Sequence, residues 1–185
     1  METKSNVKAY TDKQLIDKAK SIQGFTHIPE NHWLYGVRSN EDENDRFDDK
    51  FYLFKGEVCL GVTTGTTNKG NKGTAVMQCG WHYDCYEYGL HKGKVPALRQ
   101  VKGIPYRRDF TNDKKTNPTT DVKNDIIYMN FHPADYDLTK GIVKTNIGGW
   151  SQGCQVANNI PVYEKWINHI FKNNGLTTYL LMDEF

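Results

Sequence analysis

Cys154 stands between a glycine-rich turn, Gly148-Gly149-Trp150-Ser151-Gln152-Gly153, and a helix pattern that begins near Pro161. Small neighbours let a substrate backbone approach a thiol at such a place. A nearby helix N-terminus favours the thiolate, and backbone N–H groups there can hold an oxyanion. The segment is equally compatible with a buried structural cysteine beside a tight turn. A nucleophilic cysteine needs a base, and His132 is the candidate, because it ends the apolar run 126–131. A histidine leaving a buried strand is held rigidly towards a site. If the two groups meet as an ion pair, the thiol pKa falls and the imidazole pKa rises. A substantial thiolate fraction is then expected at neutral pH.

Other residues offer weaker chemistry. Cys79, His82, Cys85 and His91 provide four donors for tetrahedral zinc, but their spacing fits no ribbon or knuckle pattern. No bound metal and no cofactor are expected. The aromatics Trp81, Tyr83, Tyr86 and Tyr88 suit a substrate-lining wall or a half-exposed strand. Arg108, in Arg107-Arg108-Asp109, can present a planar donor fork to a substrate carboxylate or join a surface ion pair. Asp42, Asp45, Asp48 and Asp49 lack the calcium-loop spacing. The loop from Thr63 to Gly73 is rich in glycine and threonine but lacks the Gly-Lys-Ser/Thr ending of a phosphate loop.

The order of these segments resembles the catalytic domain of the L,D-transpeptidase (YkuD-like) family. The matching stretches are Val62-Thr63-Thr64-Gly65, then Gly73-Thr74, then Phe131-His132, then Ser151-Gln152-Gly153-Cys154 before a helix and a final strand. The likeness spans roughly 50–182. Gln152 stands where the family usually has His, and Val156 where it usually has Arg. A phage-type subset is closer, through Trp150 to Gln155 and Gly89 to Gly93. The resemblance implies a cysteine enzyme acting on peptidoglycan stem peptides. Cys154 would be the nucleophile and His132 the base, with Gly153 and Ser151 at the oxyanion. Gln152, Gln155, His91, Trp150 and Arg108 would contact substrate. Hydrolysis, as in a phage lysin, is favoured over cross-linking. A non-catalytic cell-wall or virion binding module of the same fold is the alternative of a different class.

Elements must position these residues. The expectation is a mostly β fold, an L,D-transpeptidase-like sandwich or barrel, with a short helix at 11–22, a hairpin over 51–64 and strands at 74–79, 97–101 and 126–131. A polar loop follows at 109–125, a helix at about 161–174 and a closing strand at 177–182. In this reading 1–49 is an N-terminal extension and 50–185 one catalytic unit. The 185 residues suit one domain, and 24 basic against 22 acidic residues give a net charge of +2. That balance selects for no nucleic acid. No apolar run reaches the ~18 residues of a spanning helix, and no secretory signal is visible at the first residues. The expected place of work is the bacterial cell wall, after synthesis in the cytoplasm. Four cysteines in a chain of this length are not a disulfide framework.

Overall fold

The structure is a computed structural model describing residues 8–41, 45–68, 72–111, 113, 115–148 and 151–185. Helix α1 (Asp12–Ser21) opens with the capping box read from the sequence, in which Thr11 and Gln14 satisfy each other's backbone N–H. Eight strands close into a barrel in the order β1 (His32–Arg38), β11 (Thr177–Asp183), β5 (Gly80–His91), β6 (Val95–Gln100), β9 (Phe131–Pro133), β10 (Gln155–Ala157), β3 (Val58–Thr66) and β2 (Asp49–Lys55). The β1/β11 and β9/β10 pairs are parallel and the rest antiparallel. A second sheet joins β4 (Thr74–Met77), β7 (Ile104–Asp109) and β8 (Lys123–Asp125).

Strand alternation divides the core. Leu34 points into the barrel with Phe51, Leu53, Phe131 and Tyr179. Trp33, Tyr35 and Val37, the other face of β1, pack outward against Leu15, Ile16 and Ala19 of α1. Each fully buried aliphatic side chain contributes about 1.5–3 kcal/mol, so α1 is held to the barrel by its apolar stripe. Strand β1 itself is a full member of the barrel, between β11 and β2. At Gly65 a Cβ would run into the Val156 carbonyl oxygen and the Phe51 ring, so only glycine lets β3 and β10 pair this closely.

The hairpin turns at Gly56, where Lys55 pairs with Val58. Helix α2 (Ile160–Lys165) takes Asn159 as its cap and runs on into a π-turn (Trp166–Ile170) and a 3-10 turn (Phe171–Asn173). Its Tyr163 hydroxyl donates to the Pro96 and Phe131 carbonyls, at 2.9 and 3.2 Å, and pins the helix to β6 and β9. One expected strand is corrected. Over 126–131 only Phe131 is in a strand. Ile126 and Tyr128 are 47% and 60% exposed, and Tyr128 takes a φ of +62°. That apolar run is the edge of a pocket, not a buried strand. No helix of the described residues is long and apolar enough to cross a membrane.

Candidate active site

In the parallel β9/β10 pair, Val156 lies opposite His132 and Gln155 opposite Phe131. Residues two apart share a face, so Cys154 and Val156 fall on the His132 side, outside the barrel. Gln155 falls on the inner side. His91, at the end of β5, pairs with Val95 across the β5–β6 turn and stacks on His132, with ring centroids 4.0 Å apart at 21°. One ring nitrogen of His91, one of His132 and the Cys154 sulfur all lie within 4.8 Å of one another. Three segments distant in sequence thus meet on the outer wall of the barrel.

The two histidines are anchored to backbone. His132 Nδ1 lies 2.8 Å from the Pro133 carbonyl, which can only accept, so the proton is on Nδ1. Its Nε2 is buried, carries a lone pair and has no partner among the described residues. That is the atom left for the thiol. The Cys154 sulfhydryl donates to the Tyr128 carbonyl at 3.4 Å. This carbonyl also accepts from the Asn130 N–H at 2.9 Å, in a kink where Tyr128 has positive φ. For a bulky residue such a conformation is uncommon and costs free energy. Here it turns the carbonyl towards the cysteine.

Burial sets the protonation states. It drives the His132 imidazole down to about 3, helped by the neighbouring His91. It drives His91 down to about 4, with Lys92 adding to the effect. The Cys154 thiol is pushed up, above its ordinary range. The resting site therefore holds a neutral thiol beside neutral imidazoles, and the ion pair expected from the sequence is not its resting state. Low dielectric disfavours both charges there before substrate arrives.

The turn before Cys154 is closed by Ser151. Its hydroxyl accepts from the Gly153 N–H at 3.1 Å and donates to the Cys154 carbonyl at 2.9 Å. Both Ser151 and the Gly153 N–H, expected at the oxyanion, are engaged inside the turn. The Cys154 N–H has no acceptor among the described residues. Gly153 has a φ of +129°, and a Cβ there would meet Ala75 at 2.8 Å, so a side chain would push the turn off the second sheet.

Around the cluster is a cavity of about 720 Å³ whose wall includes His91, Cys154, Gln152 and Arg108. Among the described residues, Lys92, Arg99 and Arg108 are its charged residues and no carboxylate is in the lining. Arg108 is fixed by donating to the Gly73 carbonyl at 2.8 Å. Gln155 is elsewhere: its amide, inside the barrel, accepts from the Tyr179 hydroxyl at 2.9 Å and donates to the Thr67 carbonyl at 3.3 Å. It does not line the cavity, because β alternation turns it inward. Trp150, Gly149 and Asp42 lie outside the described residues.

Cys79, His82, Cys85 and His91 are not brought together. His82 Nε2 meets the Gln78 carbonyl at 3.0 Å, Cys85 is buried under Thr177, and Cys79 lies beside Arg38. Among the described residues, the donors that could hold a metal ion as a group of three are His91, His132 and Cys154.

Sequence reading missed Gln100 and Asn130. Gln100 Oε1 accepts from the Ile127 and Met129 N–H groups, and its N–H donates to Asn130 Oδ1 at 2.9 Å. It shapes the kinked segment from within. Asn130 directly precedes Phe131-His132, and that adjacency was the signal available for it.

Fold and site together define an eight-stranded closed barrel with a Cys–His–His cluster on its outer wall, of which Cys154 and His91 face a cation-lined cavity and His132 lies buried behind them. Comparison with protein-family models, with curated proteins and with solved structures returns no match for this chain.

Proposed function

We propose that this chain is a cysteine-nucleophile acyl-transfer enzyme acting on peptidoglycan stem peptides, and that it works as a cell-wall peptidase. The observation that carries the reading is the lone pair of His132 Nε2, buried and without a partner among the described residues, within the cluster that holds the Cys154 thiol. A structural histidine satisfies both ring nitrogens when buried; a general base must keep one open. The substrate class rests on two further supports. One is the succession of segments that resembles the L,D-transpeptidase family. The other is a cavity that, among the described residues, has three cationic side chains and no carboxylate, which suits a peptide bearing carboxylates.

In this mechanism the thiol proton passes to His132 Nε2 as sulfur attacks the carbonyl carbon. The resulting imidazolium returns that proton to the departing amine, leaving a thioacyl-enzyme. Water, deprotonated by the same nitrogen, then releases the acid. A neutral thiol–imidazole pair is ready for this transfer, because neither charge is held in the buried site before attack. Gln152, exposed at the cavity wall, replaces the histidine usual in the resembling family and favours water over a second stem peptide as acceptor. The place of action is the bacterial cell wall, and a phage source fits the closer subset.

The test is a digest of purified muropeptides with and without the protein, read by mass spectrometry. Shortened stems are the expected products. New cross-linked dimers would make the protein a transpeptidase. An unchanged profile would leave the binding-module alternative.

A further inference from the structure

The two stacked histidines present opposite faces of hydrogen-bond chemistry. Asn130 Oδ1 accepts from the Gln100 backbone N–H at 2.9 Å, which fixes the amide, because that N–H can only donate. Asn130 Nδ2 must then donate to His91 Nδ1, 3.1 Å away. His91 is neutral near pH 7, so its proton sits on Nε2. His132 is anchored the other way, with its proton on Nδ1 against the Pro133 carbonyl. One ring offers a lone pair and the other an N–H. Two backbone groups, neither able to reverse its role, dictate the difference.

A buried carbonyl attacked by sulfur needs donors for the oxygen. Ser151 and the Gly153 N–H are engaged with each other inside the turn. Gln152 is exposed. Of the described backbone around the sulfur, the Cys154 N–H is a thin oxyanion site by itself.

We propose that His91 is a catalytic residue, whose Nε2–H donates to the oxyanion formed when Cys154 attacks a carbonyl. This rests on Cys154 being the nucleophile, as argued above. The Sγ–C bond forms, the carbonyl π pair moves to oxygen, and the thiol proton goes to His132 Nε2. The oxyanion takes hydrogen bonds from His91 Nε2–H and the Cys154 N–H. On collapse the C=O is restored, the bond to the leaving group breaks, and that group departs with the proton from His132. His91 neither gains nor loses a proton. The same anchoring argues against a resident metal ion: coordination through His91 Nε2 needs a lone pair there, which the Asn130 contact denies.

Two small probes separate this role from a structural one without requiring the natural substrate. p-Nitrophenyl acetate acylates a thiol through a tetrahedral oxyanion, whereas iodoacetamide alkylates it by displacement with no such oxygen. His91→Ala should slow acylation of Cys154 by roughly 10²-fold or more while alkylation stays within about twofold. His91→Gln, which restores an N–H donor, should recover part of the acylation rate. His132→Ala should slow both reactions. Equal losses of acylation and alkylation in His91→Ala, or no loss of acylation, would overturn the proposal.

Ring ¹⁵N shifts of the wild-type protein give a second reading that needs no variant to fold. They should show His91 protonated at Nε2 and His132 at Nδ1, and a His91 proton on Nδ1 would equally overturn it. If the wild type leaves muropeptides intact yet shows this pattern with the two probes, the substrate reading fails and the role of His91 stands.

Discussion

A cysteine–histidine group lies near each end of strand β5, and the two have opposite fates. Cys79, His82 and Cys85 are close in sequence, yet every one is engaged locally, by Arg38, the Gln78 carbonyl and the Thr177 carbonyl. His91, His132 and Cys154 are far apart in sequence, yet the barrel brings them within 4.8 Å and leaves one nitrogen open. Neighbours along a strand diverge because alternate side chains point to opposite faces and a bulge resets the pairing near Asp84. Convergence comes from strand pairing, and an open acceptor marks the site that has work left to do.

Substitutions break the comparison most directly at the cysteines. Cys154→Ala should lower muropeptide turnover by roughly 10³-fold or more with an unchanged far-ultraviolet spectrum. Cys85→Ala should keep turnover within about twofold and instead lower the melting temperature, because a fully buried thiol is lost at about 1 kcal/mol. Loss of turnover in the Cys85 variant would place chemistry in the wrong cluster.

The histidines sharpen the contrast. His132→Gln should reduce the rate by roughly 10²–10⁴, the range for a general base. His82→Gln, whose ring faces a carbonyl, should leave the rate near wild type. Steady-state rates at pH 7 check both.

Iodoacetamide kinetics against pH test the resting protonation state. Burial raises the Cys154 thiol pKa, so the alkylation rate should still be climbing at pH 9. A plateau already reached at pH 7 would show a thiolate–imidazolium pair instead.

Stability should respond to pH more gently, and here both clusters act alike. An unfolded histidine titrates near ~6.5. The folded chain refuses the proton until about 3 at His132 and about 4 at His91 and His82, with burial the main cause at each. The unfolded state therefore binds more protons between these values, and stability falls as pH drops through that window. Each neutral ring contributes a slope of about 1.4 kcal/mol per pH unit. Denaturant melts from pH 7 to pH 4 should show the decline, and His132→Gln should flatten it. A flat profile in the wild type would contradict the buried neutral rings.

Much of this was legible in the sequence, and the exceptions have physical causes. The Thr11 capping box, the turn at Gly56 and the closing strand carry local signals, and the structure has all three. Cys154 could be named from its glycine-rich turn and His132 from the apolar run before it, although His132 sits at the centre of β9 and not at the end of a strand over 126–131. The run 126–131 was misread because apolar residues at a pocket edge look like those of a buried strand; only the positive φ of Tyr128 separates them. Gln155 was assigned to the substrate through the resemblance over Trp150 to Gln155, but β alternation turns it to the face opposite Cys154. Asn130 and Gln100 carry no motif, since their roles arise from pairings that exist only after the chain folds.

Intact-mass spectrometry of the protein mixed rapidly with muropeptides tests the central claim most directly, that Cys154 attacks with His132 as its base. A stem-peptide adduct should form in the wild type, map by digestion to the peptide containing Cys154, and be absent from Cys154→Ala and strongly delayed in His132→Gln. An adduct on Cys59 or Cys79, or turnover that persists in Cys154→Ala with no adduct at all, would contradict it.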